Sequence, residues 1–250
     1  MTSLARTLAG FGAWRLSRNR FQPFNHTLPD RYPWLFSFVR ETLGDGPDRR
    51  LLSFGCSVGE EAFALRRYFP DASIRGIDID PRNIAKCRDR AREIGVANCD
   101  FAVGDSTSLE APQSYDAIFC LAVLCNGRLT VSGAERCDPI LRFAIFERQV
   151  TDFARCLKDG GLLCLLSTNF RFCDTSISAN FDTVLSVEGD RLSPDVLFGR
   201  DNRLMRGVVY PDVVFRKQEI GPLPRNHIER EIRSYAPRNS PARRPDSNCC

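Results

Sequence analysis

A chain of 250 residues, 43% hydrophobic and 26% charged, suits one domain with a sizeable core and excludes wholesale intrinsic disorder. No apolar run approaches the ~20 residues of a membrane-spanning helix; two histidines and eleven scattered cysteines, none in a C-x-x-C pair, exclude the usual zinc spacings and a disulfide framework. The formal charge of +4 is uneven: residues 1–29 and 221–250 together carry +7, which leaves −3 for the centre and no basic face suited to nucleic acid there.

At the N-terminus, Leu4, Leu8 and Phe11 share one helical face, so residues 1–45 are expected to form a short helical cap or lid. Within it the aromatic stretch FQPFNHTLPDRYPW is placed to fold over a ligand. Residues 46–220 read as one α/β domain. Arg50–Gly55 (RLLSFG) is a buried strand ending in glycine, and Glu60–Phe69 is a helix with Ala62, Leu65 and Phe69 on one face, stopped by Pro70. Ser73–Ile79 is the second strand. Pro81 opens a helix carrying Ile84, Cys87, Ala91 and Ile94 on one face, and Gly95 ends it. Asp100–Val103 and Asp116–Val123 are the third and fourth strands, separated from the next helix by a polar insertion at 126–139. That helix places Phe146, Val150, Phe153 and Leu157 in phase and closes at Gly160-Gly161; Gly161–Ser167 is a strongly apolar fifth strand. Val208–Lys217 has period-two character for the last strands, with Pro211 dividing two of them. The proline- and arginine-rich residues 221–250 read as a disordered tail. Such alternation means an open, mostly parallel sheet covered on both faces, with ligands bound beyond the carboxyl ends of the strands.

The loops at that edge carry the chemistry. Small residues at Gly55, Ser57 and Gly59 let the backbone turn tightly, and the helix beginning at Glu60 aims free N–H groups at whatever the turn holds. Asp78 closes the second strand, where a carboxylate can accept both hydroxyls of a ribose, with Ile79 beside it. Asp105 and Ser106 follow the third strand, and Asp116 opens the fourth. Singly, each has a structural reading: Asp78 as a surface or capping residue, Asp105 as a turn residue, Gly55 as a packing glycine. Together, in order, they point to an adenosyl cofactor. A nicotinamide dehydrogenase fits less well, because the turn lacks G-x-G-x-x-G spacing, and a P-loop is excluded because no Gly-Lys-Ser/Thr follows.

The stretch 50–168 resembles class I S-adenosylmethionine-dependent methyltransferases: GIDIDPRNIAKC is similar to their ribose-binding segment, YDAIFCLAVL to their fourth strand and LKDGGLLCLLS to their fifth. The loop FGCSVGEEAFALR is particularly similar to that of chemotaxis-receptor glutamate methyltransferases. The resemblance implies a Rossmann-like, doubly wound, mostly parallel seven-stranded sheet and S-adenosyl-L-methionine as cofactor. It implies Gly55, Cys56, Ser57 and Gly59 around the methionine end with Glu60 near its amino group. Asp78 and Ile79 would lie at the ribose, Asp105 and Ser106 at the adenine, and Cys120 and Leu121 would offer backbone near the methionine. This chain departs from many members in having Ser53 where they have an acid and Ser57 where they have glycine.

Methyl transfer from a sulfonium is a displacement helped by positioning and desolvation, and a base is needed only for an alcohol or phenol acceptor. Candidates are His26 in the aromatic segment, Asn126 and Arg128 after the fourth strand, and Asn169 and Arg171 after the fifth. No Asn/Asp-Pro-Pro-aromatic element and no Pro-Cys nucleophile appears, so DNA is not expected as acceptor. The expected acceptor is a small molecule or another of modest size, with a protein carboxylate (glutamate) as the alternative and a catalytically silent cofactor-binding regulatory or scaffold protein as the reading from another class. No metal is expected. Unpaired cysteines imply a reducing, cytoplasmic setting, and the use of lysine only at Lys86, Lys158 and Lys217 points to a GC-rich bacterial genome.

Overall fold

The computed structural model describes residues 21–22 and 27–219. The helix expected near Leu4, the candidate base His26 and the tail expected at 221–250 lie outside the described residues.

Helix α1 (Pro33–Leu43) leads into β1 (Arg50–Phe54), α2 (Glu60–Tyr68), β2 (Ser73–Asp78), α3 (Pro81–Glu93), β3 (Cys99–Val103) and β4 (Tyr115–Leu121). Then follow the short α4 (Gly127–Ser132), α5 (Phe143–Cys156), β5 (Leu157–Leu166), β6 (Phe181–Ser186) and β7 (Asp212–Lys217). Local chemistry sets these boundaries. Helix α2 starts from Gly59 in the left-handed region, φ 92°, with Glu60 and Glu61 favoured in its positive first turn. In α3, Pro81 occupies the first turn and the Asp80 side chain accepts from Arg82 N at 2.9 Å.

The seven strands lie in the order β3-β2-β1-β4-β5-β7-β6. All neighbours from β3 to β5 are parallel, and β7 runs antiparallel to both β5 and β6. Chain order reverses between β1 and β4, the switch point at which such sheets open a crevice. Alternation along each strand feeds two cores. Leu52, Phe54, Ile118, Cys120, Leu163 and Leu165 face α5 through Phe146, Val150 and Phe153. Leu51, Ala117, Phe119, Leu162 and Cys164 face α1, α2 and α3.

Three expectations are corrected. Helix α5 stops at Cys156, and Leu157 already pairs with Tyr115, a register shift carrying Lys158–Gly161 before Leu162 meets Ala117. Val208–Lys217 yields one strand, β7, rather than two. Its partner β6 was not anticipated, because FDTVLS is a short edge strand with few buried positions and lacks the apolar run that marks a covered one.

Candidate active site

At the carboxyl ends of β1 to β4 lies a cavity of about 970 Å³, open mouth included. Its floor is the loop Gly55–Ser57. Gly55 has φ 74° and Ser57 φ 50°, and the N–H groups of Gly55 and Cys56 both donate to Ile77 O at 2.7 and 3.0 Å, locking the turn onto β2. A Cβ on Gly55 would run into the Val123 side chain at the end of β4. Gly55→Ala is therefore expected to destabilise the fold by about 2–4 kcal/mol, left-handed strain added to overpacking; denaturant unfolding measures it.

Asp78 is the hub of this floor. Only 6% exposed, its Oδ2 accepts from Ser57 N at 2.8 Å, and its Oδ1 accepts from Asp80 N at 2.8 Å and Asn83 Nδ2 at 3.1 Å. Burial raises its pKa, and these donors oppose the rise. Ser57 Oγ, shielded from solvent, has no hydrogen-bond partner among the described residues; a buried polar atom in that condition calls for an explanation.

Glu61, on the first turn of α2, also lines the cavity. Its Oε1 accepts from Ser53 Oγ at 2.7 Å. Burial pushes its carboxyl up to about 7, against the opposing effects of Ser53 and Arg31. Arg31 and Tyr32, from the segment before α1, complete one wall, and the Gln22 amide reaches across to donate to Ala122 O at 2.9 Å. Four acids (Asp30, Glu61, Asp78, Asp105) and one arginine line the cavity, which favours a cationic ligand.

Of the cofactor residues expected from sequence, Gly55, Cys56, Ser57, Asp78, Ile79, Asp105 and Leu121 line this cavity. The others do not. Gly59 sits behind the loop against Phe63 and Cys87. Glu60 turns away to pair with Arg90 Nη1 at 2.6 Å, Ser106 Oγ meets Ser108 Oγ at 3.0 Å, and the Cys120 side chain is buried in the α5 core. Asp116, counted with the strand-end acids, stands at the opposite end of its strand. Burial would raise its pKa, but Lys158, Arg50 N and Arg49 outweigh it and hold it low.

None of the described catalytic candidates reaches the cavity wall. Asn126 caps α4 by accepting from Arg128 N and donates to Phe21 O. Asn169, fully buried, accepts from Asn126 N at 2.6 Å and donates to Val196 O at 2.7 Å. Arg171 makes a two-point contact with Asp174, and Arg128 is exposed. Sequence reasoning missed Gln22, Arg31, Tyr32 and Glu61. A signal for Glu61 existed, since it precedes buried Ala64 and Leu65 by three and four positions and so shares their sheet-facing side.

Among the described residues no helix is long and apolar enough to cross a membrane, and no group of three or more histidines, cysteines or acids is disposed to hold a metal ion.

A model described as "Methyltransferase domain" matches residues 46–193. The 23S rRNA (uracil(747)-C(5))-methyltransferase RlmC of Salmonella arizonae is 33% identical over 125 residues, 50% of this chain and 32% of that protein. The chain thus spans about a third of the length of the curated relatives it matches. Among solved structures, the YcgJ protein from Bacillus subtilis is similar with TM-score 0.48 and 14% identity over 76% of this chain and all of that one. The geranyl diphosphate C-methyltransferase from Streptomyces coelicolor is similar with TM-score 0.40 and 18% identity over 53% and 45%. The rRNA methyltransferases point to nucleic acid and so stand against two expectations, a small-molecule acceptor and no DNA. With more than half its length matched by the family model, the chain belongs to the methyltransferase-domain family, whose methyl donor is S-adenosylmethionine.

Proposed function

We propose that the cavity holds S-adenosylmethionine and that the chain transfers its methyl group to a base of RNA. The observation that carries the cofactor reading is the convergence of Gly55–Ser57, Asp78, Asp105 and Glu61 on one cavity at the sheet's switch point. The orphaned Ser57 Oγ supplies a fit test, since a ligand with polar groups would satisfy it. Support for RNA comes from the curated relatives.

When bound, the cofactor supplies a methyl carbon made electrophilic by sulfonium. The chain's residues bind and orient it. Asp78 has about one acceptor position left for a ribose hydroxyl, Asp105 lines the cavity where the adenine amino group would sit, and Glu61 has capacity for the ammonium, taking the place expected of Glu60. Arg31, on the cavity wall, would hold the carboxylate. Phe36, Phe54 and Leu121 line apolar wall, which excludes water and strengthens these charge contacts. In this reading residues 46–220 form the catalytic domain and residues up to 45 contribute a cap through Arg31 and Tyr32. Burial pushes the Cys125 thiol up to about 12, which disfavours a thiolate there.

Calorimetry with S-adenosylhomocysteine tests the cofactor; transfer of a labelled methyl group to RNA tests the acceptor. Absence of binding overturns the whole reading, and binding without transfer to RNA overturns the acceptor. Arg31→Ala is expected to raise the KM for S-adenosylmethionine about five- to 150-fold, ~1–3 kcal/mol for a lost charge-assisted pair, with kcat little changed. The similarity of FGCSVGEEAFALR to receptor glutamate methyltransferases favours a second reading, a protein carboxylate. Its signature is label released as methanol in mild alkali.

A further inference from the structure

A second cavity, of about 620 Å³, opens at the carboxyl end of β5. It adjoins the first. Leu121 and Leu166 are register partners at the ends of β4 and β5, and each is followed by a non-glycine residue in the left-handed region, Ala122 at φ 57° and Ser167 at φ 55°. Ala122 N donates to Leu166 O at 2.8 Å, joining the two turns. Ala122 lines the first cavity and Ser167 the second. Backbone strain of this kind persists where the surroundings enforce it, and it gathers at ligand sites.

The second cavity has apolar walls, including Leu166, Leu192 and Leu197, and two carboxylates, Asp195 and Asp212, of which Asp212 accepts from Ser186 Oγ at 2.6 Å. Ser193 Oγ donates to Asp195 Oδ2 at 2.7 Å and lies 3.3 Å from Ser167 Oγ. Asp195 Oδ1 has only a 3.4 Å contact, from Thr130 Oγ1. No lysine or arginine among the described residues forms an ion pair with Asp195. A carboxylate offers about four lone-pair positions, so this one keeps acceptor capacity. Burial is the main cause of the raised pKa values of Tyr32, on the wall of the first cavity, and of Cys125, and the charge of Asp195 adds to both.

We infer that the second cavity is the acceptor subsite and that Asp195 selects a nucleobase bearing an exocyclic amine, accepting its N–H and then its proton. This rests on the reading of the first cavity as the cofactor site and of RNA as the acceptor, and it departs from the uracil carbon named for the curated relatives. A planar base fits between apolar walls with polar groups along its edge, here Asp195 with Ser167 and Ser193, and a carboxylate accepts from an amine but repels another carboxylate. In the transfer, the amine nitrogen's lone pair forms the bond to the methyl carbon. The carbon–sulfur bond breaks with its electron pair going to sulfur, leaving neutral S-adenosylhomocysteine. The proton lost by nitrogen passes to Asp195.

The test uses the full chain and four single-stranded oligoribonucleotides that differ in one central base. Transfer is expected to cytidine, adenosine or guanosine and not to uridine, which has no exocyclic amine, and mass spectrometry of the digested product should place the methyl group on nitrogen. Asp195→Asn keeps the size and removes the proton acceptor. It should leave S-adenosylhomocysteine affinity within about twofold and lower kcat about 100-fold or more. Asp195→Glu should recover part of the rate. Methylation of uridine at carbon, or full activity in Asp195→Asn with cofactor binding intact, overturns the assignment of Asp195. Loss of cofactor binding in the wild-type chain overturns the first-cavity reading instead, and the two failures are distinguishable by calorimetry alone.

Discussion

Replacing Asp78 with alanine is expected to weaken S-adenosylmethionine binding by about 1–3 kcal/mol, a roughly five- to 150-fold rise in Kd. The same change should lower the stability of the unliganded protein. Three donors, Ser57 N, Asp80 N and Asn83 Nδ2, converge on this carboxylate, and a buried donor left without an acceptor costs about 1–3 kcal/mol. The loop and the ligand thus draw on one side chain. Asp78→Asn separates the two effects incompletely but usefully: the volume is kept, while the new NH2 group faces an existing donor on whichever side it lies. Calorimetry and thermal unfolding of both variants give the two quantities independently. Unchanged affinity in Asp78→Ala would remove the ribose assignment, and unchanged stability would mean that the loop holds its shape without the carboxylate.

The doubly wound architecture was legible because the inner parallel strands β1, β4 and β5 leave covered apolar runs and the helices one-sided stripes. Where that rule weakens, reading the sequence fails. Leu157 is in helical phase with Phe146, Val150 and Phe153, yet pairing with Tyr115 takes it into the sheet. Gly161 explains the local shape better than a helix stop does, since a Cβ there would meet Lys158 O and Asp116 O. The edge strand β6 has half its positions exposed, so no apolar signal survives in FDTVLS.

The cofactor loop was legible for a different reason. Tight turns and strand-end acids impose residue types directly, and Gly55, Ser57, Asp78 and Asp105 lie together on the cavity. The choice between Glu60 and Glu61 depends on a rotation of 100° about α2, which sequence resolves only through the phase of Ala64 and Leu65. Arg31 and Gln22 come from a segment whose path across the sheet edge no periodicity records. Asn126, Asn169 and Arg171 stay off the cavity wall because they spend their polar groups on backbone and Asp174. Polar residues beyond a strand brace loops as often as they meet ligands.

Glu61→Gln is expected to make the unliganded protein more stable at pH 8 and a poorer binder of S-adenosylmethionine. The folded carboxyl titrates near 7 because burial disfavours its charge, whereas an unfolded glutamate titrates near ~4.3. Between those values the folded chain holds a proton that the unfolded chain has lost, so stability falls as pH rises through this window and the full cost is present above it. The neutral amide carries no such cost. It should therefore gain about 1–3 kcal/mol over the wild type at pH 8, and the gap should close towards pH 4.5. Binding runs the other way. An ammonium ligand needs the ionised carboxylate, so wild-type affinity should climb from pH 5.5 to about 7, by up to about tenfold per unit, and then level off. In Glu61→Gln the climb should vanish. Thermal unfolding and calorimetry across pH 5.5–8 measure both. A variant less stable than wild type at pH 8 would deny that the carboxylate is held at a cost, and an unchanged affinity profile would place the ammonium elsewhere. A side chain kept against the fold's own stability and hydrogen-bonded by Ser53 is best explained by what it binds.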